Sequence, residues 1–303
     1  MRPTAARLAL RCHGRFPYSA IDERRAGYAW PGGRRLAVYV GLNLEHFAFG
    51  EGLGGELAPS GQPDVLNYAW REYGNRVGAW RLLELFDALA LPVSVLANGA
   101  IAEHCPQLLA AHVARGDEIV GHGRTNAERQ GDLREADEAA LIADATRALA
   151  AVDGAARPVG WLGPWISESR ATPDLLAEAG YEYLLDWCHD DMPTWMATRG
   201  PPGRILSVPY PQELNDIPAI MVRRASAAQF ADMIVDNFDE MCEQSARHEQ
   251  PLVMGIALHA YIVGQPFRLR HLRRALEHIA VRRDDVWLTT SGAIAAHARR
   301  EGA

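Results

Sequence analysis

The sequence predicts an α/β fold: one distorted (β/α) barrel built on a largely parallel sheet. Two observations carry this expectation. Short apolar runs alternate with amphipathic helical stretches from residue 36 to the end of the chain, the pattern of strands joined by helical crossovers. Every polar cluster also follows one of those apolar runs, and barrels gather their functional groups at the strand C-termini. Neither a linker nor an internal repeat divides the chain. No G-x-G-x-x-G or P-loop pattern favours a nucleotide-binding sheet. Residues 1–35 therefore read as an N-terminal arm and residues 36–303 as a single catalytic barrel.

The elements follow in order. Residues 1–35 are rich in Arg, Pro, Gly and Tyr without periodicity. Leu36 to Leu42 is a continuous apolar run, the mark of a strand buried on both faces, and it leads into Asn43-Leu44-Glu45-His46. Glycines and Pro59 mark a long loop over residues 50–61. Apolar spacing predicts a helix from Tyr73 to Leu89, stopped by Pro92. Val93 to Ala97 is a second strand, followed by a helix near Ile101 to Arg115 that Gly116 ends. Glu118 to Gly121 is a third strand, and Leu133 to Val152 an Ala-rich helix. Pro158 to Leu162, Tyr183 to Leu185, Ile205 to Val208, Leu252 to Leu258 and Asp285 to Leu288 read as further strands. Helices are predicted from Thr172 (cap, with Pro173 at the first position) to Gly180, Ser226 to Arg247, Arg268 to Val281 and Thr290 to Arg300.

Composition narrows the function. A net charge of −7 argues against nucleic acid and anionic membrane as main partners. Cys12, Cys105, Cys188 and Cys242 are scattered without a C-x-x-C pair, which suggests free thiols in a reducing compartment. No apolar run is long enough for a transmembrane helix. The opening residues are short and interrupted by Arg2, Arg7 and Arg11, unlike a signal peptide. The expectation is a soluble cytoplasmic protein.

The polar clusters supply the candidate site. They are Asn43 and Glu45; His122, Arg124 and Asn126 in a Gly-His-Gly loop; Trp161 and Trp165; Asp186-Trp187 with Asp190-Asp191; Glu213 and Asn215; and His259. Two glycines around a histidine at a strand end indicate a tight loop that approaches something closely. Each residue alone has a blander reading, as a satisfied core histidine, a turn cap or a core tryptophan. Their joint recurrence at strand ends is what favours a site.

The ordered motifs N-L-E, G-D-E-I-V-G-H-G-R-T-N, G-W-L-G-P-W, D-W-C-H-D-D-M-P, V-P-Y-P-Q-E-L-N-D and L-H-A-Y-I-V-G-Q-P-x-R resemble the polysaccharide deacetylase (NodB-homology) superfamily over about residues 36–298. P-Y-P-Q-E-L-N-D and D-D-M-P-T-W point to its branch of metal-independent allantoinases and cyclic imide hydrolases. The resemblance implies a NodB-type barrel, a homotetrameric assembly and hydrolysis of a carbon–nitrogen bond outside peptides. Deacetylases of the superfamily hold a divalent metal with an Asp and two His, beside a second Asp that acts as base. In this chain Asn43 stands at the base position, Glu45 at the metal Asp and Asn126 at the second His; only His122 of that set remains. Catalytic zinc takes three strong protein donors, so no metal is expected. A weakly held zinc on Glu45 and His122 with some third ligand stays open.

For a metal-free site the residue chemistry suggests opening of a cyclic amide or imide, whose leaving nitrogen is less basic. Glu45 is the candidate general base, provided a dry pocket raises its pKa toward neutrality. His122 and His259 are candidates to protonate the leaving nitrogen or hold an oxyanion. Asn43, Arg124 and Asn126 are candidates to bind the carbonyl oxygens, Trp161, Trp165 and Trp187 to wall a planar ring; Glu213 and Asn215 complete the substrate set. The alternatives are a metal-dependent deacetylase acting on a sugar, hence a carbohydrate metabolic role, and a non-catalytic ligand-binding relative.

Overall fold

The structure is a computed structural model that describes residues 12–21, 27–50, 61 and 63–302. Among the described residues nine strands form one sheet: β1 (Leu36–Leu44), β2 (Val93–Ala97), β3 (Glu118–Gly121), β4 (Gly160–Trp161), β5 (Tyr183–Leu184), β6 (Thr194–Ala197), β7 (Arg204–Ser207), β8 (Leu252–His259) and β9 (Trp287–Thr289). They lie in the order β6-β7-β5-β4-β3-β2-β1-β8, with β9 paired to the N-terminal part of β1. All pairs are parallel except β6 with β7. The sheet curls until chain beyond β5 and β7 meets β8. There Val253 N donates to Asp191 O and Ala257 N to Leu214 O, both at 2.9 Å. Loop backbone, rather than a strand, closes the barrel, and this is the distortion the fold class implied.

Side-chain alternation along the strands decides what reaches the interior. On β1, Val38, Val40 and Leu42 pack into the core under the helices, while Ala37 and Tyr39 pack inside the curl. Asn43 and the following Glu45 continue the interior set. On β8 the interior residues Val253 and Ala257 are continued by His259, and on β3 Val120 is continued by His122. Three groups from distant parts of the sequence thus converge at one end of the barrel.

The helical layer differs in detail from the sequence expectation. The predicted helix from Tyr73 begins earlier, at Val65, because Asp64 caps it by accepting from Asn67 N at 3.3 Å. A π-helical turn at Gly74–Gly78 separates it from Ala79–Ala88. Backbone contact explains the glycines there: a Cβ on Gly78 would stand 2.1 Å from Ala260 O, and one on Gly74 2.7 Å from Tyr261 N. The stretch predicted at Ile101 to Arg115 splits into Ile101–His104 and Pro106–Arg115, ended by Gly116 at φ 82°. Ser226 forms a capping box with Gln229 at the start of Ala227–His248. The edge strand β6, the short helix Ala260–Val263 and the turn Ile217–Val222 had no periodic signal in the sequence.

Of the predicted loop over 50–61, all but the two end residues lie outside the described residues. In the described parts of the N-terminal arm, Arg15 pairs with Asp174 at 2.6 Å, and Trp30 Nε1 donates to Leu252 O at 2.9 Å. All four cysteines are free. Among the described residues, no helix is long and apolar enough to cross a membrane.

Candidate active site

A cavity of about 170 Å³ opens at the C-terminal ends of β1, β3 and β8. Asn43, Glu45, His122, Asn126, Trp165, Asn215 and His259 line it, so seven of the sequence-predicted site residues share one pocket. Glu45 is its centre. Its Oε1 lies 3.5 Å from His122 Nε2 and 3.5 Å from His259 Nε2, and it accepts from Asn126 Nδ2 at 2.5 Å. Its Oε2 is buried without a hydrogen-bond partner among the described residues.

The two histidines are held by different partners on their outer nitrogens. His122 Nδ1 lies 2.7 Å from Leu162 O. A carbonyl can only accept, so Nδ1 carries the hydrogen and, in the neutral ring, Nε2 is a bare lone pair. That Nε2 is buried and has no hydrogen-bond partner among the described residues. His259 Nδ1 faces Asp216 Oδ1 at 2.6 Å, and Asp216 Oδ2 accepts from His259 N at 2.8 Å. Asp216 is fully buried (0% exposed), so it binds ring and backbone together and fixes the imidazole. Burial alone would strip the His259 ring of its proton, but Asp216 and Glu45 outweigh it and push its pKa up to about 10. At neutral pH the ring is an imidazolium.

Glu45 departs from the sequence expectation. Burial does push its carboxyl up, as a dry pocket should, but His259 and then His122 outweigh burial and hold it well below the ordinary carboxylate range. The sequence places a carboxylate in a dry pocket but does not show that two imidazoles converge on the same oxygen. Glu45 is therefore a permanent anion, suited to orienting the histidines rather than to taking a proton at neutral pH.

Neighbouring backbone supports the arrangement. Asn98 ties the loops together, its Oδ1 accepting from His46 N at 2.8 Å and its Nδ2 donating to Asn126 Oδ1 at 2.9 Å and to His122 O. Asn75, in the π-helical turn, donates to Glu45 O at 2.9 Å. The glycines beside His122 serve close approach: a Cβ on Gly121 would stand 2.6 Å from Trp161 Cε3, and Gly123, at φ 64°, lies under Pro164. His46 faces away from the cavity, stacked on His104 with ring centroids 4.0 Å apart.

Trp165 forms a flat wall, donating from Nε1 to Asn126 O at 3.0 Å and meeting Phe47 edge-on. It and Ile166 both lie in the left-handed region, at φ 64° and 52°. Two consecutive non-glycine residues there store roughly 1–3 kcal/mol each, held in place by the Gly163–Ser167 turn. Phe47, Ile217 and Tyr261 extend the apolar side.

Four predicted residues lie elsewhere. Trp161 alternates away from the interior residue Leu162, packs with Tyr181 under the helices, and donates to Gln130 Oε1 at 2.9 Å. Trp187 belongs to a cluster with His13 and Phe16 and donates to Glu168 Oε2 at 2.8 Å. Arg124 is exposed because left-handed Gly123 turns the chain outward, while its carbonyl accepts from Ala100 N. Glu213 is exposed and paired with Arg223. Asp216 lies in the quoted P-Y-P-Q-E-L-N-D stretch but is not among the sequence-predicted site residues. Without a strand or helix there, nothing in the residues ranked Asp216 above Glu213. Tyr210, in the same stretch, also lines the cavity without being among the predicted residues.

The donor set does not suit a catalytic metal. Asn126 turns its Oδ1 to Asn98 and its N–H to Glu45, so its amide oxygen is not available as a third ligand. Among the described residues no group of His, Cys, Asp and Glu has metal-binding geometry, whereas catalytic zinc takes three protein donors.

No family model matches the chain. It is 31% identical to the PuuE allantoinase crystal structure, with a TM-score of 0.77, covering 89% of this chain and 92% of that one. A probable polysaccharide deacetylase from Pseudomonas aeruginosa PAO1 superposes with a TM-score of 0.77 at 30% identity, covering 90% and 94% of the two chains. A Schizosaccharomyces pombe protein that carries the name polysaccharide deacetylase is 27% identical over 294 residues, 88% of this chain and 91% of its own. With its curled parallel sheet, its strand-end site and two structural relatives at this identity over nearly full length, the chain belongs to the polysaccharide deacetylase (NodB-homology) superfamily of carbon–nitrogen hydrolases, in its allantoinase-like branch.

Proposed function

We propose that the protein hydrolyses a ring carbon–nitrogen bond of a small cyclic amide or imide, without a metal. The observation that carries this reading is the pairing of an acceptor and a donor across Glu45: the unpartnered Nε2 of His122 and the Asp216-bound imidazolium of His259. In this reading water attacks the ring carbonyl carbon as His122 Nε2 takes its proton, and Glu45, 3.5 Å away, steadies the imidazolium that forms. The carbon–oxygen bond forms and the carbonyl π pair moves to oxygen. When the pair returns, the carbon–nitrogen bond breaks and the nitrogen takes a proton from His259 Nε2. The product is a ring-opened carboxylic acid.

Size and lining support the substrate class. The cavity of about 170 Å³ compares with roughly 150 Å³ for a cavity that holds one benzene ring and lies below the range for drug-sized ligands. Trp165, Phe47 and Ile217 favour a flat, weakly polar ring, which leans toward imides over allantoin. A deacetylase acting on an N-acetyl sugar is the second reading, favoured by the names of the Pseudomonas and Schizosaccharomyces relatives.

The test is a panel of hydantoin, dihydrouracil, succinimide, glutarimide, phthalimide, allantoin and an N-acetylglucosamine oligomer, run with and without chelator, beside elemental analysis of the active protein. Ring opening that survives chelation is expected. Hydrolysis confined to the N-acetyl sugar and dependent on a stoichiometric metal would overturn the reading. Assembly as a homotetramer is part of the same proposal, read by light scattering on the eluting protein.

A further inference from the structure

Tyr210 follows β7 between Pro209 and Pro211, is 4% exposed, and lines the same cavity as Glu45, His122 and His259. Its backbone is anchored from behind, with Tyr39 Oη donating to Pro209 O at 2.7 Å. Its hydroxyl has an unusual bond pattern. Asn43 Nδ2 donates to Tyr210 Oη at 3.3 Å and to Leu258 O at 3.2 Å. The Leu258 carbonyl fixes the amide orientation, because turning it over would set carbonyl against carbonyl. Both amide hydrogens are therefore spent, the phenol oxygen is an acceptor, and no protein acceptor among the described residues takes the phenol hydrogen.

A buried hydroxyl hydrogen left without a protein acceptor, at the wall of the reaction cavity, is a donor held for something else. Ring opening creates such a need, since addition of water places negative charge on the carbonyl oxygen beside the anion Glu45. His259 is committed to the leaving nitrogen. Burial raises the Tyr210 pKa, and the charges of Glu45 and Asp216 raise it further, so the hydroxyl keeps its hydrogen across the working range.

We infer that Tyr210 is a catalytic residue whose hydroxyl donates a hydrogen bond to the substrate carbonyl oxygen and stabilises the oxyanion of the tetrahedral intermediate. This rests on the amide-hydrolysis reading above. No proton is transferred by Tyr210: the hydrogen bond shortens as charge develops and relaxes when the carbon–nitrogen bond breaks.

The test is Tyr210→Phe, which keeps the ring and its packing, on whichever amide the wild-type protein hydrolyses. Removing one oxyanion donor typically lowers kcat by about 10²–10³-fold. That loss is expected with KM within a few-fold and an unchanged far-ultraviolet circular dichroism spectrum. Replacing Tyr210 with 3-fluorotyrosine, a more acidic donor of nearly the same shape, should restore most of kcat. A Tyr210→Phe variant with kcat within threefold of wild type overturns the inference. So does a loss that 3-fluorotyrosine fails to rescue, which would mark a packing role. A wild-type protein that hydrolyses an acetyl amide but no ring refutes the ring-opening reading while leaving Tyr210 testable on that amide. Hydrolysis of neither overturns both.

Discussion

Replacing Asp216 with Asn tests the acid half of the site with almost no change in shape. Asp216 makes two bonds to His259, 2.8 Å to the backbone N–H and 2.6 Å to Nδ1. An Asn side chain has one carbonyl oxygen and can accept only one of these; its NH₂ would face the other donor. Losing one hydrogen bond to a charged group costs about 1.5–3 kcal/mol. Leaving the imidazolium without its buried counter-ion would cost about 3–5 kcal/mol, unless His259 releases its proton. We therefore expect a loss of about 2–4 kcal/mol in unfolding free energy and a His259 that is neutral at working pH. Loss of a general acid lowers kcat by about 10²–10⁴-fold, or roughly 2.7–5.4 kcal/mol of barrier at 1.36 kcal/mol per decade. The assay is steady-state ring opening followed by ultraviolet absorbance, beside urea unfolding. An Asp216→Asn protein that melts as a folded domain and retains kcat within threefold would show that His259 does not deliver the proton through this pair.

Three further outcomes follow from the packing and charges. Glu168, half-buried with its carboxyl turned inward near Asp186, has that carboxyl pushed up to about 7 by burial. Because the folded state holds that proton more tightly than the unfolded chain, stability is greatest below pH ~4.5 with respect to this group and falls as pH rises toward about 7; Glu168→Gln should flatten that slope in urea titrations, and an unchanged slope would contradict it. Gly78→Ala drives a Cβ to 2.1 Å from Ala260 O, which should destabilise by about 1–3 kcal/mol or more and lower kcat through Tyr261 and Asn75; wild-type melting would show that the two segments separate freely. Trp165→Ala removes one wall of the cavity and its bond to Asn126 O, so KM should rise about tenfold, near 1.4 kcal/mol, with a smaller change in kcat; an unchanged KM would place the ring against another wall.

The alternation of strands and helices, the single barrel and the strand ends where the site forms are all legible in the order of residues. These features depend on local periodicity and on strands buried on both faces, as β1 and β8 are, and both are written in consecutive residues. The convergence of Asn43, Glu45, His122 and His259 follows from the same rule, since each continues a strand that ends at the barrel mouth. The π-helical turn at Gly74–Gly78 was not legible, because its glycines answer to Ala260 and Tyr261, nearly two hundred residues away.

Sequence alone thus determined that Asn43, Glu45, His122 and His259 continue strands to the barrel mouth; tertiary structure decided which other groups join them and in what state. Trp161 and Trp165 look alike as neighbours of one strand, yet alternation buries the first under helices and a left-handed turn swings the second over the cavity. Asp216 and Glu213 are carboxylates three positions apart, and only the curl of the sheet brings one of them to His259 while leaving the other in solvent. Whether Glu45 is a base or a fixed anion depends on the imidazoles that converge on it. That is a property of three-dimensional proximity, because a charge is felt through space and not along the chain.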